Sequence, residues 1–310
     1  MIRLCPLTAA PRNFAPRPRR HAVIGAAATL LVVAGLAACE SVPVSGRTRP
    51  RLFTSESKEV EMGKSAFAET LASETPSTNA EAIAMVERVG RRIAAVAGRD
   101  DYEWEFKLIA SPTKNAFCLP GGKVAIYEGI LPVCGSEAGL AVVMSHEVGH
   151  ALARHGGERM NHQAAVSAVG SLGKIVMNRT EALDAQRQQM VMGAYGAASK
   201  YGVVLPYSRK HESEADAIGL KLMAEAGYDP SEAPLFWERF SSESGPKPPA
   251  FFSTHPSDAR RAADLREQLP AAVGIYKRAP EQFGLGEKIP EIRLAGGTVT
   301  ADASVVPAAQ

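Results

Sequence analysis

The sequence predicts an α+β fold, mainly helical, with a small β-hairpin beside a central helix. Three observations carry this expectation. Residues 56–72, 79–97, 137–145 and 212–225 place apolar side chains at helical spacing. Residues 102–109 (YEWEFKLI) alternate apolar and polar, the period of a half-buried strand. Residues 115–119 and 123–128 are extended runs joined by Pro120-Gly121-Gly122, a turn sequence.

Residues 1–38 fall outside this fold. Arg3, Arg12, Arg17, Arg19 and Arg20 occur with no acidic residue, followed by a short apolar stretch at 22–34 and by Leu36-Ala37-Ala38-Cys39. The pattern reads as a secretory signal, too short for a spanning helix of about 20 residues. Leu-Ala-Ala-Cys resembles a bacterial lipobox, which implies cleavage before Cys39, its lipidation and a membrane partner through the acylated cysteine. Glu40 in the next position favours an outer-membrane site facing the periplasm. A plain signal with an unrelated cysteine is the other reading. Those five arginines account for the basic balance: the chain carries +2 overall and −3 over residues 39–310. No basic stripe interleaved with aromatics occurs, so nucleic acid is not an expected partner.

The expected organisation is a signal at 1–38, a Pro/Gly/Arg-containing tether at 39–54, one catalytic domain at 55–275 and an irregular, partly extended tail at 276–310. Cys118 and Cys134 are the two cysteines left after Cys5 and Cys39. In an oxidising compartment an even pair suggests a disulfide, here one tying the hairpin to the approach of the central helix. Two buried thiols are the alternative. Their spacing is not that of a zinc-binding pair.

The central helix carries His146-Glu147-Val148-Gly149-His150, an H-E-x-x-H segment, and is expected to run on to a stop at Gly156-Gly157. Two histidines four apart lie on nearly one helix face. Both imidazoles can therefore reach one zinc ion, while Glu147 projects at another angle toward its water. A catalytic zinc site needs a third protein ligand and an open position. Lys210-His211-Glu212-Ser213-Glu214-Ala215-Asp216 opens a second helix and supplies it. Alone this run reads as a solvated acidic face. Beside an H-E-x-x-H helix it reads as Glu212 ligating and Asp216, one turn on, accepting the free N–H of His146. Glu214 lies off that face and is the weaker ligand candidate. Between these helices, residues 158–200 form apolar stripes broken by glycines and read as core helices, with a flap or membrane-surface contact as the other reading. Residues 230–240 and 257–268 read as further helices.

Asn115-Ala116-Phe117-x-x-Pro120-Gly121-Gly122, H-E-x-x-H, Ser208-Arg209-x-x-Glu212-x-Glu214-Ala215-Asp216, and Thr254-His255-Pro256 with Arg260-Arg261 occur in that order. Together they resemble the HtpX-like and BepA-like zinc metallopeptidases, relatives of the CAAX prenyl endopeptidases. The resemblance spans roughly residues 55–270. It implies a zincin (gluzincin) domain with one Zn2+ per chain, His146, His150 and Glu212 as ligands, and Glu147 as catalytic acid/base. It also implies a place near the metal for His255, as a removable fourth ligand or a reaction-site residue, and a supporting basic role for Arg261. Asn115, Ala116 and Phe117 would hold an extended polypeptide by strand addition; an ordinary buried hairpin is the bland reading of that segment. The BepA-like branch often adds a helical-repeat domain, for which this chain is too short.

The expected function is that of a membrane-anchored periplasmic zinc endopeptidase acting on misfolded or unassembled envelope proteins. A chaperone or assembly factor with a latent or structural zinc site is the alternative from another class. A metal-free binding lipoprotein is a third. No feature bears on oligomeric state.

Overall fold

Side-chain caps set where the first helices begin. Ser55 accepts the Lys58 amide at 3.3 Å and opens α1 (Glu56–Ser73); Asn79 accepts the Ala82 amide and opens α2 (Ala80–Val96). This computed structural model describes residues 39–42, 45–50, 54–180, 184–199, 205–242, 251, 255, 260–294 and 297–299. The leader at 1–38 and the Thr254 and Pro256 positions of the T-H-P motif lie outside the described residues.

The chain divides into two units. In the first (1–41 with 47–51), β1 (Cys39–Ser41) pairs antiparallel with β2 (Thr48–Pro50), and Arg49 Nε donates to Glu40 at 2.9 Å. Within the segment read as a tether, these two short strands form an antiparallel ladder.

The second unit (42–46 with 52–310) holds the site. Its sheet has the order β3-β5-β4, with β3 (Glu105–Ile109) parallel and β4 (Ala116–Leu119) antiparallel to the central β5 (Lys123–Tyr127). The register sets Ala116 opposite Ile126 and Leu119 opposite Lys123. Gly121 and Gly122 turn the hairpin at φ 90° and 80°, a region open to glycine. Among the described residues, one edge of β4 therefore has no strand partner.

A short helix, α3 (Leu131–Cys134), leads into α4 (Glu137–Leu152), which is buried at every position. That is why residues 137–145 are apolar nearly all round instead of along one stripe. Within the segment read as a tail, residues 285–292 pack on this helix and the core. The Glu287 and Leu285 carbonyls accept the Glu137 and Ala138 amides at 2.8 and 3.0 Å, donors that a helix start leaves unpaired. Ile289 and Ile292 join the core.

α4 ends earlier than its glycines suggest. Ala153 and Arg154 form a turn, and Arg154 takes φ 56°, the only positive φ outside glycine among the described residues. Such a conformation costs about 1–3 kcal/mol and persists where surroundings fix it. Here Arg154 donates to both Glu59 oxygens, at 3.0 and 2.8 Å, and to the Thr54 carbonyl at 3.0 Å. Gly156 and Gly157 sit inside the next helix, α5 (His155–Thr180).

α5 and α6 (Ala185–Ser199) do not form a core layer. Val169, Leu172, Ile175, Met190 and Val191 are all exposed. Glycines interrupt the stripes, so neither helix offers a continuous apolar face to bury. α7 (Leu205–Glu225), α8 (Glu232–Ser242) and α9 (Arg261–Tyr276) complete the unit. Among the described residues no helix is long and apolar enough to cross a membrane.

The expected Cys118–Cys134 disulfide is corrected: both thiols are free. Cys118 lines the cleft that Glu147 borders, whereas Cys134 is fully buried where Arg239 of α8 donates to its carbonyl. Burial raises both thiols well above their ordinary range.

Candidate active site

The site forms where α7 crosses α4, and two glycines allow the approach. A Cβ on Gly219 would meet the His146 backbone N at 2.9 Å and Cα at 3.0 Å; one on Gly149 would meet the Ala215 carbonyl at 3.0 Å. A helix interior glycine costs about 1 kcal/mol relative to alanine, so close packing explains its use. Gly219→Ala is expected to destabilise the fold by about 1–3 kcal/mol through overpacking and to weaken metal retention by pushing Glu212 away. Thermal unfolding of the apo and metal-loaded variant checks this; unchanged values in both would contradict it.

His146 and His150 meet edge to face on one side of α4, their Nε2 atoms 3.1 Å apart. Glu212 Oε2 lies 3.3 Å from His146 Nε2, and Oε1 lies 3.5 Å from His150 Nε2. His255 brings Nδ1 to 3.3 Å from His146 Nε2 and 3.2 Å from Glu212 Oε2. Four donor groups thus face one point, and all four residues are buried. An ion about 2.0–2.1 Å from each of four tetrahedral ligands needs them about 3.3–3.4 Å apart. Five separations of 3.1–3.5 Å, counting both Glu212 oxygens, fall near that edge, and one donor atom from each residue lies within 4.8 Å of all the others.

Charge makes the same case. Glu147, Glu212 and Asp216 are buried together with one buried guanidinium, Arg261. Buried carboxyl groups thus outnumber the buried guanidinium, an excess that a divalent cation offsets; uncompensated buried charge is costly. Glu147 Oε1 and Arg261 Nη1 are buried without a hydrogen-bond partner, although His255 Nε2 stands 3.3 Å from Glu147 Oε1.

Asp216 Oδ1 lies 2.9 Å from His146 Nδ1. Arg261 grips Asp216 with two bonds, Nε to Oδ2 at 2.7 Å and Nη2 to Oδ1 at 2.6 Å, and its guanidinium lies 3.5 Å from the Trp237 ring centroid. Phe251 stacks on His255 at 4.3 Å. Burial penalises the Asp216 carboxylate, yet Arg261 and His146 hold it down at about 2. Burial opposes Glu212 too, but hydrogen bonds from His146, His150 and His255 keep it far below the usual carboxylate range. Burial raises Glu147 to about 7, with His255 opposing. Burial also drives His150 well below its ordinary value.

Asn115, Ala116, Phe117 and Leu119 line one cleft with Glu147, His150 and His255. The edge strand therefore runs beside the convergent donors. Sequence reasoning missed His155, whose Nδ1 lies 2.8 Å from His150 Nδ1 and whose Nε2 lies 2.9 Å from Glu214 Oε2. Burial lowers His155 to about 4. Five residues beyond His150, it would face elsewhere on a continuous helix; the left-handed Arg154 turns it back. Only the glycines at 149 and 219 signalled how closely the two helices pack.

A buried H-E-x-x-H helix crossed by a carboxylate-bearing helix, with an edge strand along the cleft, defines a metallopeptidase. Residues 80–269 match Peptidase family M48, and the chain belongs to that family. It is 38% identical over 272 residues to "Mitochondrial metalloendopeptidase OMA1" of Schizosaccharomyces pombe, covering 84% of this chain and 76% of that protein. The Saccharomyces cerevisiae protein of that name is 35% identical over 188 residues, 58% of this chain and 51% of its own length. "Beta-barrel assembly-enhancing protease" of Escherichia coli strain K12 is 28% identical over 207 residues, 65% of this chain and 42% of its own. The chain thus spans only about half, or less, of the last two relatives.

These relatives correct the outer-membrane, lipid-anchored location read from Leu-Ala-Ala-Cys. Proteins from yeasts, a plant and animals that match this chain are mitochondrial by name. An arginine-rich, acid-free leader suits a mitochondrial transit peptide as well as a secretory signal, so that leader alone did not fix the compartment.

Proposed function

We propose that this chain is a zinc endopeptidase that cleaves misfolded or unassembled proteins held extended along β4, and that it rests in a latent state. The observation that supports this best is the joint position of His255. Its Nδ1 completes the donor set of His146, His150 and Glu212, and its Nε2 faces Glu147. The donor types, three imidazoles and one carboxylate, suit zinc.

His146, His150 and Glu212 would hold the ion in the working enzyme. When bound, zinc lowers the pKa of a water to about 7 and polarises a carbonyl. The remaining steps belong to the chain. Glu147 takes a proton from the attacking water and returns it to the leaving amine. The free edge of β4 offers its backbone groups to an extended peptide, whose pairing aligns the scissile bond with Glu147. Asp216, gripped by Arg261, fixes the His146 ring. His255 would have to withdraw from Glu212 and Glu147 to admit the attacking water.

His255→Ala is expected to raise cleavage of an unfolded protein such as casein. Observed rate scales with the competent fraction, so a resting enzyme open about a tenth of the time gains about tenfold. A fall in rate instead would assign His255 to the reaction and remove the latent state. If neither wild type nor His255→Ala cleaves any unfolded protein, the chaperone reading replaces this one.

A further inference from the structure

The two histidines of the H-E-x-x-H helix are supported differently. His146 Nδ1 meets a carboxylate directly, Asp216 Oδ1 at 2.9 Å. His150 Nδ1 meets another imidazole, His155 Nδ1, at 2.8 Å. The carboxylate stands one ring further out: His155 Nε2 lies 2.9 Å from Glu214 Oε2.

Hydrogen bonding allows this chain one arrangement of protons. A neutral imidazole that gives its Nε2 lone pair to a metal carries its proton on Nδ1. His150 Nδ1 therefore donates, and His155 Nδ1 accepts. The proton of a neutral His155 is then on Nε2, where it donates to Glu214. Each nitrogen and the carboxylate are satisfied in sequence, and the reverse direction would leave His150 without its ligating lone pair. The surroundings fix the relay. His155 is fully buried, and His211 stacks on it at 4.1 Å and 15°. His211 Nε2 is held by Glu158 Oε2 at 2.8 Å, and the Ser45 hydroxyl donates to Glu214 Oε1. The left-handed Arg154 supplies the backbone reversal that brings His155 onto His150.

We propose that His155 and Glu214 are positioning residues: a relay that fixes the tautomer and ring angle of His150 and so sets how long the metal is held. This rests on the metal-binding reading of His146, His150 and Glu212. The relay carries the hydrogen bond of a carboxylate to the ligand through an imidazole, as partners beyond the ligands commonly do with one bond fewer. It also accounts for an H-x-x-x-x-H spacing, His150 to His155, that helical phase alone leaves unexplained.

The test uses the full chain and zinc alone. His155→Phe keeps the ring and its stacking on His211 but removes both nitrogens. His155→Gln keeps an acceptor for His150 and a donor for Glu214. Zinc transfer to a chromogenic chelator is measured at equilibrium and over time, with thermal unfolding of the apo forms as the fold control. His155→Phe is expected to weaken zinc binding about 10–100-fold and to speed its release, while His155→Gln, which keeps both contacts, stays clearly below that loss of about tenfold. Should His155→Phe fail to fold, Glu214→Gln serves, with an expected loss of about tenfold. Wild-type zinc retention in the variant lacking the relay overturns the inference, as does a His155→Gln as weak as His155→Phe, which would show that ring packing matters instead. Failure of the metal reading itself looks different: wild type then binds no zinc.

Discussion

Glu147→Gln is expected to lower peptide cleavage by about 10²–10⁴-fold, the usual contribution of a positioned acid/base, with metal content unchanged. Gln has nearly the same shape and takes no proton. Glu147 is not among the four convergent donors, so its replacement removes no ligand. Burial holds its carboxyl at about 7, where it can both accept and return a proton near neutral pH. Casein cleavage and metal analysis of the same preparation check the result together. Equal cleavage by the variant would remove Glu147 from the reaction; loss of metal would show that it helps hold the ion.

Glu212→Ala has the larger expected effect on metal. It deletes the carboxylate within 3.2–3.5 Å of His146, His150 and His255. It also leaves Arg261 Nη1 without the oxygen 3.4 Å away. The carboxylate that stays ionised beside the histidines is then gone, and with it much of the attraction for a dication. Affinity should fall by more than the about 10–100-fold typical of losing a partner beyond the ligands. Alanine is a good helix former, so helix content should persist. Competition with a chelator measures the loss, and circular dichroism controls for folding. Full occupancy in this variant would place the ion elsewhere.

The convergence of His146, His150 and Glu212 is legible in the sequence because helical period constrains it. Residues four apart share a face, and Glu212 and Asp216 repeat that spacing on the second helix. His255 came from the resemblance of its T-H-P context, since a loop residue has no period to read. His155 was hidden because the break before it lies at Ala153-Arg154, with no glycine or proline to mark it. The exposure of α5 and α6 was misread because composition reports apolar residues but not whether a partner surface exists to cover them. Residues 285–289 were unreadable for a related reason: they pack through backbone carbonyls, which every residue carries. The Cys118–Cys134 bridge failed because parity of cysteines says nothing about whether two thiols face each other.

X-ray absorption at the zinc edge, on the resting protein and on His255→Ala, tests the central claim most directly. The account predicts one zinc per chain with only nitrogen and oxygen neighbours at about 2.0–2.1 Å. Three of these are imidazoles at rest, and two remain once His255 is removed. No stoichiometric zinc, a sulfur neighbour, or an imidazole count unmoved by His255→Ala would contradict it.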